Sequence, residues 1–191
     1  MEDMLKGLDK KKVAIIVVDM LNDFVTGSLK CERAQDIIQN IVKLLDSARE
    51  HKIPVIFSND AHIKGIDHEL ALWGDHGIAG TKGAEVIPEL KVSKIDFIVP
   101  KRRYSGFFAT HLDILLRELD VDTLVITGLH TNICVRHTTA DAFCLGYKII
   151  VPSDGTNAFT EKDYEEGLEY LKMVYGAKIV TVEELVKFFD R

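Results

Sequence analysis

The sequence is short of several things, and each shortage excludes something. It has no surplus of positive charge. Its 24 Lys and Arg stand against 30 Asp and Glu, a formal net charge of −6, which argues against nucleic acid as a partner. A basic run past the middle of the chain, Lys101-Arg102-Arg103, reads by charge alone as a solvated loop. No apolar run approaches the roughly 20 residues that span a bilayer, so no membrane partner is expected. The stretch from Met1 to Lys12 is charged and lacks the apolar core of a signal peptide, and a cytoplasmic location follows as an expectation. There are three cysteines, Cys31, Cys134 and Cys144, with no C-x-x-C pair, which argues against a disulfide framework or a thiolate zinc site. No internal repeat, low-complexity tract or linker breaks the chain. One domain over residues 1–191, large enough to bury a sizeable core, is the economical reading.

What is present is a regular alternation. Val13 to Val18 is a short uninterrupted apolar run, the mark of a parallel strand buried on both faces. Gln35 to His51 carries apolar residues at helical spacing. Further strands are expected at Val55 to Ser58, Phe97 to Val99 (stopped by Pro100), Thr123 to Thr127, Lys148 to Val151 and Lys178 to Val180. Helices are expected at His111 to Leu119, Cys134 to Leu145, Asp163 to Tyr175 and Val182 to Phe189. Thr181 and Glu184 have capping-box spacing. Pro152 to Asn157 reads as a polar turn, and Ala61 to Pro88 shows no period and holds five glycines. A stretch that long without regular structure is more often functional than idle. The alternation predicts an α/β fold, a mostly parallel sheet with helices on both faces.

In such a sheet ligands bind beyond the carboxyl ends of the strands. The polar residues just past those ends are Asp19, Asp60 with His62, Lys101, and the loop Gly128 to Cys134. Taken singly, Asp19 reads as a turn acid, Lys101 as a surface lysine and Cys134 as a buried structural thiol; their convergence on one edge is the stronger signal. Cys134 opens a helix, where the dipole and free N–H groups stabilise a thiolate and a developing oxyanion. Asp19 can move the thiol proton, and Lys101 can hold the carboxylate and the thiolate. Cys144 reads as core and Cys31 as an incidental loop residue. Asp60 and His62, with His68 and His76 downstream, form a carboxylate–imidazole set suited to Zn²⁺, Fe²⁺ or Mn²⁺.

Three segments together resemble a known family. They are Ala14-Ile15-Ile16-Val17-Val18-Asp19-Met20-Leu21-Asn22-Asp23-Phe24, Lys101 followed by Tyr104-Ser105-Gly106-Phe107, and Thr127-Gly128-Leu129-His130-Thr131-Asn132-Ile133-Cys134-Val135. They look like the motifs of the isochorismatase-like cysteine hydrolases, in the expected order. The resemblance implies an Asp19–Lys101–Cys134 triad and a six-stranded sheet in order 3-2-1-4-5-6. It implies a cis peptide at Leu129–His130, with the His130 and Cys134 amides turned to the substrate oxyanion. Within the family the chain is most similar to nicotinamidases and pyrazinamidases, which implies a small-amide substrate, nicotinamide first. Asp60, His62 and His76 would then hold a divalent metal, zinc with iron or manganese as alternatives, and His68 stands at the spacing of an additional ligand. Phe24, Trp73 and Tyr104 would bind substrate, Phe24 and Trp73 flanking a flat ring. A homo-oligomer is also implied. Two positions depart from the nicotinamidase pattern: Gly74 follows Trp73 where that group has Pro, and Gly77 follows His76 where it has Cys. Hydrolases of N-carbamoyl amides or ureidoacrylate are the nearest alternative, and a non-catalytic binding or scaffold member is the alternative of another class.

Overall fold

The computed structural model describes residues 4–191. The beginning of the charged N-terminal stretch, residues 1–3, lies outside the described residues. The sheet is made of β1 (Val13–Val18), β2 (Val55–Asp60), β3 (Phe97–Lys101), β4 (Thr123–Leu129), β5 (Lys148–Pro152), β6 (Thr156–Asn157) and β7 (Lys178–Val180). Its order is β3-β2-β1-β4-β5-β7, all parallel, with the two-residue β6 attached to β4. The expected order therefore holds, with Lys178–Val180 in sixth place. The extra strand β6 falls in the segment read as a polar turn. It has no period of its own and exists because Gly128 and Leu129 offer it a ladder.

The burial of β1 explains its unbroken apolar run. Ile15 and Val17 point into one core, and Ala14, Ile16 and Val18 into the other. Each fully buried Val or Ile contributes about 1.5–3 kcal/mol. The first core is closed by α2 (Gln35–Glu50) and α7 (Val182–Phe189), the second by α4 (Leu112–Glu118), α5 (Cys134–Cys144) and α6 (Glu161–Tyr175). Between these elements lie two one-turn helices, α1 (Asn22–Val25) and α3 (Leu70–Trp73). The capping box at the start of α7 is formed, with Thr181 and Glu184 each bonding the other's backbone N–H.

Some local expectations change. β3 runs through Pro100 to Lys101 instead of stopping before it. β3 is an edge strand, where a residue without an N–H is tolerated. Cys144 is exposed, not core, because the buried face of α5 is Cys134, Val135, Thr138, Thr139 and Ala142. Cys31, in contrast, is buried, and its thiol donates to the Ala158 carbonyl. Among the described residues no helix is long and apolar enough to cross a membrane.

Candidate active site

Strand register assembles the reactive groups. Val18 lies opposite Ser58 on one side and Gly128 on the other, and Asp60 lies opposite Lys101. The residues ending these strands, or just beyond them, therefore share one edge. Asp19 has a left-handed backbone, φ 51°, a state that costs a non-glycine residue about 1–3 kcal/mol. Two bonds hold it there: its N–H donates to the Ser58 carbonyl at 3.2 Å, and its Oδ1 accepts the Asp60 N–H at 2.8 Å. The Lys101 ammonium is fully buried between Asp19 Oδ2, 2.7 Å away, and Asp60 Oδ1. The run of basic residues thus begins with an interior cation, not a solvated one.

Cys134 is the first residue of α5 and is buried. Its Sγ and the carboxylates of Asp19 and Asp60 lie within 4.8 Å of one another. Burial pushes the thiol well above its usual range, and neither carboxylate relieves it. Asp19 is pushed up to about 6 by burial and by the charge of Asp60, against the pull of Lys101. Asp60 is also raised by burial, but Lys101 and His62 outweigh that and hold it at about 2. The resting pair is therefore a protonated thiol beside a carboxylate that can accept its proton. The approach to Cys134 leaves β4 through Gly128, whose φ is 102° and where a Cβ would lie 2.1 Å from the Val18 carbonyl oxygen. Only glycine fits there. The Leu129–His130 peptide bond is cis. Beyond it, Thr131 N–H donates to Asn157 O, and the Ile133 and Val135 amides both donate to His130 O.

Above the thiol is a narrow cleft walled by Phe24, Trp73, Tyr104, His130 and Phe159. Trp73 donates its indole N–H to Tyr104 Oη at 2.9 Å and stacks on Phe159, ring centroids 6.1 Å apart. Phe159 in turn stacks on His130 at 4.1 Å. Phe24 meets His130 edge-on and tilts against His76.

On the far side of Asp60, the buried residues Asp60, His62, Glu69 and His76 offer four donor atoms within 4.8 Å of one another. His62 Nε2 and His76 Nε2 lie 3.5 and 3.8 Å from Asp60 Oδ2, and His62 Nε2 is 3.8 Å from Glu69 Oε1.

The Isochorismatase domain model matches residues 13–184. The chain belongs to the isochorismatase family. It is similar to Nicotinamidase 3 of Arabidopsis thaliana, 31% identical over 183 residues that cover 93% of this chain and 88% of the relative. The crystal structure of N-carbamoylsarcosine amidase from Thermoplasma acidophilum matches with TM-score 0.85 at 38% identity, covering 90% of this chain and 97% of that one. Pyrazinamidase of Pyrococcus horikoshii in complex with zinc matches with TM-score 0.83 at 29% identity, covering 89% and 99%. The chain is an isochorismatase-family hydrolase of the amidohydrolase type.

In this isochorismatase-family hydrolase, Asp19, Lys101, Cys134, Asp60, His62 and His76 converge around one cleft, with Phe24, Trp73, Tyr104 and His130 among its walls. Phe24 and Trp73 do not pair with each other; Phe24 packs on the imidazoles and Trp73 on Phe159. His68 is exposed and stands outside the donor cluster, lining a neighbouring groove with Leu72, Arg103 and Phe108. Its neighbour Glu69 takes the place in the cluster. Imidazoles stand out in that segment as candidate ligands; this acid does not. Phe159 carries no sequence signal at all. The two glycine departures have structural reasons. Gly74 has φ 80°, and its carbonyl accepts from His76 Nδ1 at 2.8 Å. Gly77 packs so closely on Asp60 that a Cβ would meet the Asp60 Cβ at 2.8 Å, and its carbonyl accepts the His62 N–H.

The donor set fits a divalent cation. Tetrahedral ligands at zinc-like distances stand about 3.4 Å apart, close to the separations found between these atoms. The imidazoles are oriented for it: His62 Nδ1 is held by Asp67 at 3.2 Å and His76 Nδ1 by the Gly74 carbonyl, so each presents Nε2 to Asp60. His62 Nε2 is buried without a hydrogen-bond partner. Glu69 is pushed up to about 7 by burial and by the charge of Asp60, against the pull of His62 and Lys101. Asp67 is itself anchored by Arg102 and by the Ile63 N–H at 2.9 Å.

Proposed function

We propose that the chain releases ammonia from a small, neutral, planar amide, nicotinamide being the leading candidate, through a thioester on Cys134. The observation that carries this reading is the buried contact of the Cys134 thiol with the Asp19–Lys101 pair beneath an aromatic-walled cleft. Asp19 takes the thiol proton as Sγ bonds to the amide carbon. The oxygen of the tetrahedral intermediate is met by the His130 and Cys134 amides, which take no part in the loop's backbone hydrogen bonds. Lys101 keeps its proton, raised well above its usual range by Asp19 and Asp60 against the effect of burial, and steadies the developing charge. Asp19 returns the proton to the amide nitrogen, the C–N bond breaks and ammonia leaves. Water then adds to the thioester carbon, giving one proton to Asp19; the C–S bond breaks and Cys134 recovers that proton. Asp60, His62, Glu69 and His76 would hold a divalent metal, zinc by similarity to the zinc-bound pyrazinamidase. A metal held there would supply a Lewis-acid centre at the wall of the cleft.

Similarity to N-carbamoylsarcosine amidase favours a second reading, hydrolysis of an N-carbamoyl amide. The cleft weighs against it. None of its lining residues is Lys or Arg, so apart from a metal held by Asp60, Glu69 and His76 a carboxylate-bearing substrate would find no cation on its walls. The test is ammonia release by metal-replete protein from nicotinamide, pyrazinamide, N-carbamoylsarcosine and ureidoacrylate, beside Cys134→Ala. Turnover of the first two, lost in the variant, supports the reading. Turnover of the carbamoyl substrates alone replaces it with the second, and no turnover of any returns the chain to a binding or scaffold role.

A further inference from the structure

His130 is the one wall of the cleft with an unexplained polar atom. The ring follows β4, stands four residues before the thiol and is 2% exposed. One face is covered by Phe159 at 4.1 Å and 21°, and Phe24 closes on it edge-first at 5.4 Å and 82°. Its Nε2 is buried and has no hydrogen-bond partner in the protein. A buried polar atom left unpaired costs about 1–3 kcal/mol, and a phenyl ring would fill the same stack without that cost. Burial pushes this imidazole down to about 3, so it is neutral, with one ring nitrogen donating and the other accepting. His130 and Cys134 both line the cleft. β6 pairs with Gly128 and Leu129, and Phe159, two residues past β6, lies over the ring.

We propose that His130 is a specificity-determining residue, whose Nε2 hydrogen-bonds a polar ring atom of a planar heteroaromatic amide seated in the cleft. The inference rests on the amidohydrolase reading above and adds to it the side chain that reads a ring heteroatom. A site that pairs a buried polar group with its substrate discriminates strongly against the analogue that leaves the group unpaired.

The experiment compares the metal-replete wild type with His130→Phe, which keeps the stack and loses the nitrogen, and His130→Gln, which restores a polar atom at similar reach. KM, kcat and thermal midpoint are measured with nicotinamide, pyrazinamide and benzamide. The expected result is a KM for the favoured heteroaromatic amide raised about tenfold or more in His130→Phe. Benzamide should change little, His130→Gln should recover part of the loss, and the His130→Phe midpoint should be no lower than that of the wild type. An unchanged substrate profile in His130→Phe overturns the proposal. So does a uniform loss on all three amides with a lowered midpoint and no recovery in His130→Gln, which would make the ring structural. Absence of turnover of every amide by the wild type removes the amidohydrolase reading, and this inference with it.

Discussion

Asp60 faces two ways. Its Oδ1 meets the Lys101 ammonium, and its Oδ2 meets the imidazoles of His62 and His76. On the Lys101 side every group stands at or just past the end of a strand, and parallel register alone brings Asp19, Lys101 and the Cys134 loop together. On the imidazole side the groups come from an irregular segment held by individual bonds: His62 N–H on the Gly77 carbonyl, Gly77 N–H on Asp23 and Asp67 on Arg102. The first half is as rigid as the sheet. The second depends on a few polar contacts, each of which can be removed without touching the core.

Breaking the strand-end half has the largest effects. Cys134→Ala should lower kcat at least about 10⁴-fold while leaving metal binding intact, read by ammonia release and by chelator competition. Gly128→Ala, which drives a Cβ into the Val18 carbonyl, should cost about 3 kcal/mol or more in denaturant unfolding. If either variant behaves as wild type, register does not dictate that half.

The imidazole half should yield in metal affinity first. Glu69→Gln replaces an anionic donor with a neutral amide and should weaken Zn²⁺ binding by more than the roughly 10–100-fold typical of an outer partner. Asp67→Asn leaves all four donors but frees the His62 ring. It should weaken binding about 10–100-fold, with little loss of thermal stability in the metal-free protein. His68→Ala should change Zn²⁺ affinity by less than about twofold, as suits an exposed side chain outside the cluster. An effect of His68→Ala equal to that of Glu69→Gln would show that the segment closes differently when loaded.

The same division governs what could be read in advance. Asp19, Lys101 and Cys134 follow strands with clear apolar runs, and the rule that ligands gather at strand ends names them. His62 and His76 are visible as imidazoles near Asp60, but which acid or histidine completes the set is decided by how Ala61 to Pro88 folds back. That segment has no period to show it. Arg102 illustrates the limit: by charge it belongs to a solvated run, and in the fold it clamps a buried carboxylate, Asp67.

The sequence by itself determined the α/β class and the positions of the three strand-end groups, because buried parallel strands need continuous apolar runs and their ends need no further specification; its motifs, through their resemblance to a known family, implied the strand order. Only the tertiary structure decided that Glu69 and not His68 joins the imidazoles, that Phe159 covers His130, and that Cys31 is buried while Cys144 is exposed. Those outcomes depend on contacts between residues far apart in the chain, where loop closure and side-chain packing, not local pattern, set the geometry.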